Sequence, residues 1–294
     1  MTETSEANHK PESAPVRDRI PASTFRLPIS VFGILNITDD SFSDAGRYLD
    51  PEAALAHAED LIEDGADTLD VGAASSNPRS EPVPPDVEIG RLAPIVLAAK
   101  ERGWSVSIDS FASETQLWAL DEGVDYLNDI QGFADASMYA HLAAAQSKLI
   151  VMHSVQGLGR AQKIDTDPRE IMGRAADFFD ARIQALTHAG VARERLILDP
   201  GMGLFVGTRP EVSLTILRRL PQLKSAFGLP LLISVSRKSF LRKLVGREVA
   251  EIGPGTLAAE LYASLHGADM IRTHEPKPLR DGLTIWTHIA SAGF

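Results

Sequence analysis

Eight short apolar runs, separated by helical patterns, constrain this chain more than any other feature of its sequence. The first four are VFGIL (Val31 to Leu35), TLDV (Thr68 to Val71), VSI (Val106 to Ile108) and YLNDI (Tyr126 to Ile130). The others are LIVM (Leu149 to Met152), LILD (Leu196 to Asp199), LLISV (Leu231 to Val235) and MIRT (Met270 to Thr273). Near-continuous apolar runs of this kind suit parallel strands buried on both faces. The segments between them read as amphipathic helices. In PEAALAHAEDLIEDG, Pro51 suits the first turn, Leu55, Ala58, Leu61 and Ile62 share a face, and Gly65 provides the stop. In DPREIMGRAADFFDARIQALTHAG, Asp167 is the expected cap, Pro168 the start and Gly190 the end. Eight such units predict an α/β fold, a (β/α)8 TIM barrel forming one domain over residues 26–294. A doubly wound open sheet is the alternative, because periodicity does not show closure. Residues 1–25 are polar, rich in Pro, Ser and Glu, and aperiodic, which predicts a disordered tail.

Composition narrows the function. The net charge of −11 argues against a nucleic-acid surface, although a local cationic cluster could still hold a small anion. With no cysteine, disulfides, thiolate catalysis and cysteine-ligated metals are excluded. No apolar run is long enough to span a bilayer, and no signal-peptide core begins the chain, so no membrane partner and a cytoplasmic setting are expected.

The polar residues fall where the apolar runs end. They are Asn36, Asp109, Asn128 with Asp129, His153, Asp199, Ser236 with Arg237 and Lys238, and Arg272 with His274. Asp, Asn and Ser commonly stop strands and cap helices, and for any single position that explanation competes. Lys238, Arg272 and His274 are poor caps, so the set as a whole points to the mouth of a barrel, where such enzymes place their chemistry. Lys238, Arg272, His274 and Asn36 suit a phosphate or pyrophosphate. Asp109, Asn128 and Asp199 offer acceptors and an amide to a flat heterocycle, whose N–C–N edge a carboxylate can grip with two parallel hydrogen bonds. GMGLFVG (Gly201 to Gly207) misses the dinucleotide-loop spacing and lacks a following Lys-Ser/Thr, so its glycines are expected to serve a tight turn. His153 has no ligand-spaced cluster around it and is expected to be a hydrogen-bonded histidine rather than a metal ligand.

Seven segments together resemble dihydropteroate synthase in order and spacing: GILNITDDSFSD, SIDSF, LNDI, VMH, LILDPGMG, SRKSFL and IRTH. The likeness spans about residues 30 to 290 and extends to the Sul-type, sulfonamide-insensitive members in YLNDIQGF, GLPLL and SVSRKSF. It implies a TIM barrel that joins 6-hydroxymethyl-7,8-dihydropterin diphosphate to p-aminobenzoate, giving dihydropteroate and pyrophosphate. By this resemblance Asp109, Asn128, Met152, Asp199 and Lys238 bind the pterin. Asn36, Arg272 and His274 correspond to the diphosphate and Mg2+ site, with Asn36 linked to the metal. Phe42 and Asp44 lie on a first loop that closes over the reacting pair, and Ser236 and Lys238 lie near the aminobenzoate. The implied catalytic set is Asn36, Phe42, Asp44, Lys238, Arg272 and His274, in a homodimer built through the last helices.

The second loop departs from the family. Where the family usually reads G-G-E-S-T-R-P-G, this chain has Gly72-Ala73-Ala74-Ser75-Ser76-Asn77-Pro78-Arg79, and Leu204-Phe205-Val206 replaces a common Phe-Gly-Lys. Both changes fall on the implied aminobenzoate side, with Ser76, Asn77, Pro78, Leu204, Phe205 and Ser236 as its candidate residues. Two expectations follow. One is an active enzyme with a rebuilt arylamine wall, led by Phe205, that rejects sulfonamides. The other is a non-catalytic pterin-binding paralogue. The retained Asn36, Phe42, Asp44, Arg272 and His274 favour the first.

Overall fold

In the computed structural model, residues 29–38, 50–74, 82–156 and 163–292 are described. All eight expected strands form. They are β1 (Ser30–Asn36), β2 (Thr68–Gly72), β3 (Ser105–Asp109), β4 (Tyr126–Asp129), β5 (Lys148–Met152), β6 (Leu196–Asp199), β7 (Leu232–Ile233) and β8 (Met270–Thr273). All pair in parallel, in the order β6-β5-β4-β3-β2-β1-β8-β7. The ring closes between its two ends through a parallel bridge from Leu198 to Leu231 and a 2.9 Å bond from Leu198 N–H to the Pro230 carbonyl. Closure makes the sheet a barrel and removes the open-sheet alternative. The expected tail, residues 1–25, lies outside the described residues.

The helices form the outer layer. They are α1 (Pro51–Glu63), α2 (Pro85–Arg102), α3 (Ser113–Asp121), α4 (Tyr139–Ala144), α5 (Ile171–His188), α6 (Pro210–Arg218), α7 (Leu220–Phe227), α8 (Ser239–Val245), α9 (Gly253–Leu265) and α10 (Pro276–Ser291). In α1, Ala58 and Leu61 are buried, and Leu55 and Ile62 pack partly buried against the core, as the spacing predicts. The expected start of α5 moves. Asp167 Oδ1 accepts from the Arg169 N–H and its carbonyl from the Glu170 N–H, so Asp167 and Pro168 make a turn and the helix begins at Ile171.

β7 is shorter than expected. The chain leaves the ladder at Ser234 and turns through Arg237, which sits at φ +58°, a left-handed conformation that a side chain makes costly. Ser236 and Lys238 flank that turn, while Arg237 points its guanidinium to Glu275, 3.3 Å away.

The barrel interior has two levels, and strand parity separates them. Phe32, Ile150, Ile197 and Leu232 form a buried cluster with Tyr126 and Met270 packed against it. These six come from six different strands, so the cluster fills the bore. Phe32 and Tyr126 meet edge to face at 5.0 Å. Side chains of one strand repeat on the same face every second residue. Two residues beyond Tyr126, Ile150, Ile197 and Met270 therefore come Asn128, Met152, Asp199 and Arg272, above an apolar floor.

Candidate active site

Arg272 is the centre of the upper level. Its Nε–H donates to Asp70 Oδ2 and its Nη2–H donates to Asp109 Oδ2 at 2.5 Å. The Asp70 side chain is fully buried. Asn128 Nδ2 approaches Asp70 Oδ1 at 3.5 Å, which leaves Asn128 Oδ1 buried with no partner among the described residues. The pairing of Asp109 with Asn128 across β3 and β4, and of Met152 with Asp199 across β5 and β6, puts these four at the same rim of the barrel.

The other half of the mouth is built from the turns after β6 and β7. Asp199 Oδ1 accepts from the Gly201 N–H at 2.8 Å. Gly201 has φ +73°, and a Cβ there would lie 2.3 Å from the His153 carbonyl oxygen, so this turn demands glycine. The next residues form a 3-10 turn, Gly203–Phe205, that places the Phe205 ring 5.2 Å from Lys238 Nζ. Backbone and side-chain bonds from Ser154, Val155 and Gln156 to the Leu204 and Phe205 carbonyls pin this turn in place. Beside it, Ser236 Oγ lies 2.9 Å from His274 Nδ1 and accepts from the His274 N–H at 3.2 Å.

Burial dominates the electrostatics. It pushes the Asp109 carboxyl up to about 7, against the pull of Arg272 and with the repulsion of Asp70. Asp199 is raised for the same reason, opposed by Lys238, and burial brings Lys238 down to about 8, opposed by Asp199. Burial also works against the Arg272 charge, yet Asp70 and Asp109 outweigh it and hold the guanidinium firmly ionised. His274 is pushed well below its ordinary value, by burial first and then by Arg237, Arg272 and Lys238, so it is neutral at pH 7. The result is a buried set of alternating charges in which a ligand can exchange partners with the protein.

Asp109, Asn128, Met152, Asp199, Lys238, Arg272, His274, Ser236 and Phe205 are thus brought to one mouth, with Leu204 on the same turn and Asn36 at the end of β1 opposite Gly72. Phe42, Asp44, Ser76, Asn77 and Pro78 lie outside the described residues. His153 leaves the set. It follows the inward Met152, so parity turns it outward, where it contacts Phe178 and Phe179, and its Nδ1 lies 3.0 Å from the Pro200 carbonyl. Burial lowers it to about 4. Sequence reasoning missed Asp70, because it searched strand ends. The signal was present: Asp70 shares parity with Thr68 and Gly72 on β2, and an aspartate within an otherwise apolar strand needs a partner.

The sequence profile of the pterin binding enzymes matches residues 32–274. The chain is 57% identical over 255 residues to dihydropteroate synthase type-2 of Escherichia coli, covering 87% of this chain and 94% of that one. The chain belongs to the dihydropteroate synthases. Among solved members, dihydropteroate synthase of Coxiella burnetii in complex with pteroic acid superposes with a TM-score of 0.81 at 29% identity, over 91% of this chain and 95% of that chain. Dihydropteroate synthase of Xanthomonas albilineans with 4-aminobenzoic acid gives 0.80 at 32% identity, over 90% and 94%. As a dihydropteroate synthase the chain is a transferase with a pterin-binding TIM barrel, and the buried ring around Arg272 is where its polar chemistry concentrates.

Proposed function

We propose that this dihydropteroate synthase condenses 6-hydroxymethyl-7,8-dihydropterin diphosphate with p-aminobenzoate and resists sulfonamides. The observation that carries the reading is the unpartnered Asn128 Oδ1 beside the partly buried carboxyl of Asp109 and the buried one of Asp199. An acceptor without a donor in a buried polar ring suits the amino and ring N–H groups of a pterin. Asp199 and Lys238 would grip opposite edges of that heterocycle, with Met152 against its face.

Arg272, His274 and Asn36 would hold the diphosphate. Breaking the bond from the exocyclic methylene to the diphosphate oxygen leaves a resonance-stabilised cation, and the arylamine nitrogen then attacks that carbon. No protein nucleophile is required, in keeping with a chain without cysteine. The neutral His274 ring and the ionised Arg272 both donate hydrogen bonds to the departing oxygens. Phe42 and Asp44, on the first loop, would shield the cation from water.

The donor set fits Mg2+ only as an ion shared with substrate. No group of three His, Cys, Asp or Glu among the described residues could hold a metal alone, whereas the Asn36 amide oxygen is a hard ligand of the kind Mg2+ takes alongside phosphate oxygens and water. Bound there, Mg2+ would offset the charge of the leaving diphosphate.

Phe205 and the altered second loop support resistance. p-Aminobenzoate and a sulfonamide share the aniline end, but a planar carboxylate differs from a tetrahedral sulfonyl carrying a bulky substituent. A ring fixed above Lys238 narrows the exit where that substituent would pass. A homodimer through the last helices is supported by exposed Ile285, Trp286 and Ile289 on α10 and Tyr262 on α9. No helix among the described residues is long and apolar enough to cross a membrane, which suits a cytoplasmic enzyme.

The test is growth rescue of a bacterium lacking its own dihydropteroate synthase, with and without sulfonamide. Rescue in both media is expected. Failure despite soluble expression overturns the activity, and rescue abolished by the drug at ordinary doses overturns the resistance alone.

A further inference from the structure

Glu260 lies on α9, behind the barrel wall, and is only 1% exposed. It is too far back to belong to the mouth, yet a line of hydroxyls connects it to His274. Thr273 is the hydroxyl neighbour that acts on its carboxyl, and its Oε1 has no hydrogen-bond partner among the described residues. Thr273 Oγ1 lies 3.5 Å from Ser236 Oγ and accepts from the Glu275 N–H at 3.2 Å. Ser236 Oγ accepts from the His274 N–H at 3.2 Å and lies 2.9 Å from His274 Nδ1.

Each hydroxyl has one proton to donate and two lone pairs. Because a backbone N–H occupies one lone pair on each, only two complete arrangements exist. In the first, the Glu260 O–H donates to Thr273, Thr273 donates to Ser236, and Ser236 donates to His274 Nδ1, leaving the ring proton on Nε2. In the second every arrow reverses: Nδ1–H donates to Ser236, Ser236 to Thr273, and Thr273 to a carboxylate. We propose that Glu260 is a positioning residue whose proton, passed as hydrogen-bond direction through Thr273 and Ser236, sets the tautomer of His274.

With Glu260 protonated, His274 offers an Nε2–H donor to the mouth. With Glu260 ionised, it offers a lone pair that repels a departing diphosphate. The orphaned Oε1 fits the protonated state, since an unpartnered carbonyl oxygen costs less than an unpartnered carboxylate oxygen. Burial raises Glu260 to about 8, opposed by the Thr273 bond and reinforced by Glu275. The charged groups bearing on His274 are Arg237 and Lys238 after β7, Arg272 on β8 and His57 on α1. All of them favour the neutral ring in which a tautomer is defined.

The test is nitrogen NMR of the full chain labelled with 15N-histidine, below and above the ionisation of Glu260, with the His274 signals identified by their loss in His274→Gln. The wild type should change from Nε2–H to Nδ1–H across that step. Glu260→Gln cannot ionise and Thr273→Val cuts the line, so both should keep Nε2–H throughout. In parallel, wild-type kcat/KM for the pterin diphosphate should fall across the step by on the order of tenfold more than that of Glu260→Gln, a comparison that cancels the titration of Lys238. A wild-type ring that stays Nε2–H, or a Glu260→Gln ring that changes with the wild type, overturns the proposal. The consequence for the leaving group rests on the activity proposed above, but the tautomer does not. An inactive chain whose tautomer follows Glu260 would sink only that activity, and an active chain whose tautomer ignores Glu260 would sink only this inference.

Discussion

Asp70 and Arg272 stand 202 positions apart in the chain and share a buried hydrogen-bonded ion pair at the centre of the barrel mouth. Because β1 separates β2 from β8, the pair reaches across a whole strand and ties the two sides of the mouth together. Asp70→Asn keeps the shape and removes the charge. Arg272 then depends on Asp109 alone, so unfolding in urea should show a loss on the order of 2–3 kcal/mol. The kcat/KM should also fall by at least about tenfold, because the guanidinium is no longer aimed by two carboxylates. Wild-type values for both would show that the pair has no organising role.

Asp199→Asn tests the heterocycle grip. Its Oδ1 is committed to the Gly201 N–H, leaving Oδ2 for the ligand, and an amide nitrogen there would present protons to a protonated edge. Pterin affinity by calorimetry should drop by at least about tenfold. Unchanged affinity would mean that the pterin sits elsewhere.

Phe205→Ala opens the exit above Lys238. Sulfonamide inhibition should strengthen by about tenfold while the KM for p-aminobenzoate moves much less, since the excess bulk belongs to the drug alone. Equal changes for both ligands would assign discrimination to another residue.

Glu260 gives a pH test that needs no substrate. Its folded value, about 8, lies above its ordinary 4.5, so the folded state holds a proton that the unfolded chain has released. The stability it contributes is fully present below 4.5 and is lost as pH rises through about 8. Relative to wild type, Glu260→Gln should therefore gain stability with rising pH across that window, by up to about 1.4 kcal/mol per pH unit. A constant difference would mean that Glu260 is already ionised in the fold.

The sequence made the barrel readable because each strand announces itself by local composition, and β6 and β8 begin and end at the expected residues. β7 is harder to read, since apolar Val235 extends the run past Ser234 while the ladder ends at Ile233, and the turn carrying Arg237 follows. Position at a strand end found Asp109 and Asp199 but also admitted His153. Facing is a question of parity rather than of ends, and it excludes His153 and includes Asp70. Glu260 is not legible, because its neighbour Thr273, and Ser236 beyond it, come from other elements and only the closed ring lines them up.

The closure between β6 and β7 is the thinnest join in the barrel, a single bridge at Leu198 and Leu231 beside a two-residue strand. Asp199 stands on one bank of that join and Lys238 on the other. A molecule grasped by both is a clasp across the place where the cylinder would first come apart. Occupancy and integrity are thereby linked: filling the mouth should slow amide exchange around Leu198 and Leu231 more than anywhere else in the ring.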